Sequence, residues 1–66
     1  VFAYRLKQLR ENRGLKQCHV AKALYVTDRT MSNYECGRYI PNVEFLVAIA
    51  NYFDVTVDWL LGRDKL

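Results

Sequence analysis

QCHVAKALYVTDRTMSNYE, residues 17–35, reads as two short helices joined by a tight turn. Val20, Ala21 and Leu24 recur at i, i+1 and i+4, which gives one buried face to a helix about two turns long. Tyr25-Val26 then interrupts the pattern, and the Thr27 hydroxyl is placed to cap a new helix start. In that second helix Met31 and Tyr34 lie three apart and face inward. Asp28, Arg29, Ser32 and Asn33 are left pointing outward. An exposed face made of short, hydrogen-bonding and partly cationic side chains suits the reading of base edges in a DNA major groove.

Around this stretch the chain divides into five expected helices. The first runs from about Phe2 to Asn12, with Phe2, Leu6 and Leu9 on one face and Gly14 just past its end. The second and third run from about Gln17 to Leu24 and from Asp28 to about Cys36, with Gly37 as the stop. Arg38 to Asn42 forms the longest loop. Asn42 caps a fourth helix from Val43 to Phe53, with Val43, Leu46, Ile49, Ala50 and Phe53 inward. Thr56 caps a short fifth helix from Val57 to Leu61, ended by Gly62. Strands are not expected, because no alternation of period two persists. The expectation is an all-α fold in one domain over residues 1–66, with the helix-turn-helix at about residues 17–36.

Composition narrows the class of protein. A chain of 66 residues that is 52% hydrophobic is long enough for one small core and too apolar for disorder. No apolar run approaches the roughly 18 residues of a membrane span, and no signal-peptide pattern opens the chain, so a soluble cytoplasmic protein is expected. The first residue is Val rather than Met, which is compatible with a piece cut from a longer chain. The net charge of +3 is unevenly spread: residues 1–40 carry eight basic and three acidic side chains, and residues 41–66 carry two basic and four acidic. The positive field therefore lies on the half that holds the helix-turn-helix, where phosphates would be met.

Order and spacing along nearly the whole chain resemble the lambda-repressor-like family, the Cro and phage-repressor type also called Xre-like. Leu6-Lys7-Gln8-Leu9-Arg10 looks like that family's first helix, and Gly14-Leu15-Lys16-Gln17 like the approach to its second. Tyr34-Glu35-Cys36-Gly37-Arg38 with Pro41 looks like the end of the third helix and the loop beyond it. Leu46 to Ala50 and Val55-Thr56-Val57-Asp58-Trp59-Leu60-Leu61-Gly62 look like the fourth and fifth helices. The resemblance implies a compact five-helix domain that binds double-stranded DNA sequence-specifically. It further implies a bacterial or phage repressor that pairs as a homodimer, at least on DNA, across a palindromic operator.

On this basis the side chains take different expected roles. Arg29 is the first choice for a base contact, since a guanidinium bonds guanine O6 and N7 in parallel. Asp28, Ser32 and Asn33 complete the base-facing set, with Asp28 also suited to the positive end of the helix. Gln17, Thr27, Thr30, Arg38 and Tyr39 are expected at phosphates, Gln17 both by resemblance and by its place among free backbone N–H groups. Arg13 and Lys16 would add attraction at longer range. The resemblance assigns Arg10 and Glu35 to an ion pair tying the first helix to the end of the third. Phe53, Val57, Trp59 and Leu60 form a candidate dimer patch.

Four positions depart from the family pattern. Tyr25 stands where glycine is usual in the turn. Lys16 and His19 replace the residues of a capping box, so none is expected. Cys18 and Cys36 replace surface polar residues and are expected to be inert and partly buried. No metal or cofactor is expected: Cys18 and His19 diverge by about 100° on a helix, and no paired spacing supplies further ligands. An enzyme is not expected, because the single His has no evident partner and no carboxylates are paired for acid–base work. Two other readings share these residues. One is an antitoxin that represses its own operon, with a toxin or another protein as partner. The other is a protein-interaction module that kept the fold and lost DNA binding.

Overall fold

Helices form where apolar residues recur at helical spacing, and the computed structural model, which describes residues 1–63, contains five of them. They are α1 (Phe2–Asn12), α2 (Gln17–Ala23), α3 (Asp28–Glu35), α4 (Val43–Phe53) and α5 (Val57–Leu60). Leu24, Cys36 and Leu61 are the C-cap residues of α2, α3 and α5, one position beyond the helices proper. Among the described residues no helix is long and apolar enough to cross a membrane.

Three polar side chains start helices as the sequence predicts. Thr27 Oγ1 accepts from the Thr30 N–H at 3.1 Å, Asn42 Oδ1 from Phe45 at 2.9 Å and Thr56 Oγ1 from Trp59 at 3.0 Å. Each satisfies a backbone donor that the helix itself leaves unpaired. Thr27→Ala is expected to cost about 1 kcal/mol. In thermal melts followed by circular dichroism that is a fall of about 4–8 °C for a domain of this size. An unchanged melting temperature would mean that α3 is held by its packing alone.

The expected absence of a capping box at α2 needs correction. The backbone N–H of Lys16 donates to Nδ1 of His19 at 3.2 Å, so an imidazole nitrogen does what a carboxylate does in the usual box. The reciprocal half is not made, since an ammonium has no lone pair. The His19 N–H bonds the Lys16 carbonyl instead, at 3.1 Å.

The core gathers Phe2 and Leu6 from α1, Val20 and Ala21 from α2, Met31 from α3, Leu46, Ile49, Ala50 and Phe53 from α4, and Leu60 from α5. A side chain such as Leu6 or Phe53, fully enclosed, contributes roughly 1.5–3 kcal/mol. Leu9, Leu24 and Tyr34 pack on its rim. Tyr34 lies between Phe2 and Phe45, with ring centroids 6.5 and 5.2 Å away. Val43, expected inward, is 72% exposed. Its spacing to Leu46 is right, but it opens α4, and a side chain leaning towards the helix start projects past the core's edge. α3 packs on α2 and α1, while α5 packs on α4 and α1, so α1 joins the two halves.

Two arginines are absorbed by this packing. Arg5 lies over the Trp59 ring, 4.6 Å from its centroid, and donates to the Trp59 carbonyl. Arg13 donates to the Phe53 carbonyl at 2.9 Å and lies 5.1 Å from that ring's centroid. A cation there suits both the aromatic face and the negative end of α4. Arg13 stays exposed with its charge while its guanidinium is held against the end of α4.

Two non-glycine residues hold a positive φ, Tyr25 at 62° and Asp54 at 58°. Asp tolerates this conformation as the last residue capping α4, whereas for Tyr it costs roughly 1–2 kcal/mol. Gly37, at φ 81°, ends α3 without that cost and lets the Arg38 N–H reach the Asn33 carbonyl at 3.0 Å.

Candidate nucleic-acid interface

Helical geometry puts Met31 on the side of α3 opposite Arg29 and Asn33, with Ser32 and Asp28 between. Met31 is fully buried, which orients the helix, and Asp28, Arg29 and Ser32 are exposed with Asn33 half-buried beside them. The four side chains expected to face bases therefore share one outward surface. Asp28 is the first residue of α3, where its charge meets the positive end of the helix dipole.

At the same end, Thr27 and Thr30 share a hydroxyl–hydroxyl hydrogen bond of 2.9 Å. Thr27 is further occupied by its capping bond. Of the two hydroxyl protons one remains for a phosphate oxygen. Beyond the other end of α3, Arg38 and Tyr39 are exposed in the loop that follows Gly37.

The far end of α3 is clamped. Arg10 Nε donates to Glu35 Oε2 at 2.6 Å and Arg10 Nη2 to Oε1 at 3.0 Å, a two-pronged pair. Arg10 Nη1 also reaches the Leu15 carbonyl at 2.9 Å. The two charged side chains are only 12% and 3% exposed. The hydrogen bonds that it donates to Glu35 hold the Arg10 guanidinium protonated beyond its ordinary range, against the opposing effect of burial.

The structure also brings Gln17 to this pair, which local sequence reasoning did not anticipate. Gln17 Nε2 donates to Glu35 Oε1 at 3.1 Å. One amide proton is thus spent on bracing, and the other is left for a phosphate. Arg10, Gln17 and Glu35 together tie α1 and the start of α2 to the end of α3. Among the described residues no buried side-chain nitrogen or oxygen lacks a partner.

A surface cleft over this junction is lined by Lys7, Gln17, Ser32 and Cys36 as well as by the clamp. Lys7 precedes Arg10 by three residues and so shares its face of α1, a placement legible in the sequence. With Arg5 and Arg10 half-buried and engaged inside the domain, the exposed cations of the first forty residues are Lys7, Arg13, Lys16, Lys22, Arg29 and Arg38.

Two further expectations are corrected. Phe53 and Leu60 are 1% and 0% exposed, so they belong to the core and cannot form a dimer patch. Val57 and Trp59 are half-buried, with Arg5 across the Trp59 ring. Apolar spacing identifies residues that leave water, and here they do so inside the chain. Cys18 and Cys36 are free and exposed rather than partly buried. Both lie at helix ends where no second layer covers them. Among the described residues no group of three His, Cys, Asp or Glu side chains could hold a metal.

A family model described as a helix-turn-helix domain matches residues 3–63. The chain is 40% identical over 65 residues to the HTH-type transcriptional activator BcrR of Enterococcus faecalis, covering 98% of this chain and 32% of that protein. It is 34% identical over 62 residues to the HTH-type transcriptional regulator ImmR of Bacillus subtilis, covering 94% and 49% respectively. The crystal structure of a transcriptional regulator from Listeria innocua superposes with a TM-score of 0.91 at 35% identity, over 100% of this chain and 62% of the other. The chain thus spans about a third to a half of the length of these two curated relatives. Each of the three is named as a transcriptional regulator or activator, a class without enzymatic chemistry.

Proposed function

The chain belongs to the helix-turn-helix domain family of DNA-binding transcription regulators, and from that premise we propose that it recognises a specific duplex by laying α3 in the major groove. The observation that carries this reading is the division of α3 between a buried anchor at Met31 and an outward row of Asp28, Arg29, Ser32 and Asn33. Arg29 and Asn33 read bases, with Asp28 orienting the start of the helix and Ser32 between them. Gln17, Thr30, Arg38, Tyr39 and Lys7 hold phosphates on either side.

Two copies related by a two-fold axis read a palindrome with half-sites about 34 Å apart. The domain's extents of 33 × 23 × 19 Å let two copies lie side by side on one face of the duplex at that spacing. Occupancy of a site overlapping a promoter represses by exclusion. One relative is named as an activator, and on this reading the sign of regulation is set by the position of the site and by the rest of the regulator.

Selection of duplexes from a random library, followed by anisotropy titrations at several salt concentrations, tests the proposal. The logarithm of the affinity should fall linearly with the logarithm of salt concentration. Arg38→Ala should reduce that slope by about 0.9 and weaken all duplexes alike. Failure to bind any duplex in a salt-dependent way sinks the proposal and favours a protein-interaction module on the same fold.

A further inference from the structure

We infer that Tyr25 is a DNA-backbone contact, a phenol presented from the turn beside the recognition helix. The inference rests on the DNA-binding reading above. Tyr25 holds a left-handed backbone at φ 62°, a conformation in which glycine would be at ease and tyrosine is strained. Its side chain is 95% exposed, so it covers no apolar surface of the domain, and its hydroxyl makes no hydrogen bond within the described residues. Nothing among the described residues rewards a large aromatic there. Strain that the fold does not need marks a residue selected for something outside it.

The turn holds this residue firmly. The Tyr25 N–H bonds the Lys22 carbonyl at 3.3 Å, and the Val26 N–H bonds the Ala21 carbonyl at 2.9 Å. Val26 packs against the core, so the phenol projects from a fixed backbone. Tyr25 lies two residues before the cap Thr27, which places its Cα no more than about 7.6 Å from that of Thr27. That end of α3 is the one directed at DNA, with the Thr27–Thr30 hydroxyl pair at its phosphate edge. An aromatic ring with a polar tip matches such an edge: the ring lies on deoxyribose and the O–H donates to a phosphate oxygen.

The test pairs Tyr25→Gly with Tyr25→Phe in the 66-residue chain, measuring melting temperature and affinity for the selected duplex. Tyr25→Gly should melt about 4–8 °C higher and yet bind roughly 2- to 12-fold more weakly, the value of one neutral hydrogen bond. The salt slope should not change, because a neutral phenol displaces no counterion. Tyr25→Phe keeps the strain and loses the O–H, so it should melt as the parent does and bind more weakly. If both variants bind with parental affinity, the inference is overturned while the DNA-binding reading stands. If the parent chain binds no duplex, both fall together.

Discussion

Arg10→Ala should abolish folding rather than weaken DNA binding alone. The substitution leaves the Glu35 carboxylate, 3% exposed, without its two charge-assisted bonds and with only the neutral Gln17 amide as partner. Removing one member of a buried pair costs about 3–5 kcal/mol. A domain of this length has a total stability of roughly 3–10 kcal/mol, so the loss takes between about a third of it and the whole. Folding is abolished where the parent lies in the lower half of that range. Urea denaturation followed by circular dichroism would show the variant unfolded, or nearly so, before denaturant is added. The double variant Arg10→Met with Glu35→Leu should recover much of the loss, because no charge is then stranded. Parental stability in Arg10→Ala with loss of DNA binding would transfer Arg10 from bracing to recognition.

Arg29→Ala should leave melting within about 0.5 kcal/mol of the parent, as a substitution on an exposed surface usually does. Its effect falls on recognition: about 1–3 kcal/mol of discrimination at one base pair, or roughly 5- to 150-fold in relative affinity. Titrations against duplexes changed one position at a time would show preference relaxed at that pair and kept elsewhere. Equal weakening across every duplex, with a smaller salt slope, would instead place Arg29 at a phosphate. The two variants separate the two tasks of α3. Its far end is fastened through Glu35, and its first turn is presented to a ligand.

Most of the fold was legible along the chain because its signals are local. Thr27, Asn42 and Thr56 cap donors three residues ahead, and the apolar spacing of Val20, Ala21, Met31, Ile49 and Phe53 selects the faces that are buried. The outward row of α3 follows from the same periodicity once Met31 points inward. The pairing of Arg10 with Glu35 was legible only through the family resemblance, since the two are 25 residues apart. His19 as a cap was missed because imidazole is an uncommon acceptor in that role, although its spacing from Lys16 was in plain view.

The amino-acid sequence by itself determined five helices, the turn between α2 and α3, and which face of α3 looks outward, since each depends on neighbours within about four residues. Tertiary packing alone decided where the long polar side chains end. It drew Arg5 to Trp59 and Arg13 to Phe53 and joined Gln17 to Glu35 across 18 residues. The physical reason is reach. A backbone hydrogen bond or a cap is satisfied within a turn of its own helix. A guanidinium or an amide on a flexible stem finds its partner only after the helices have been brought together.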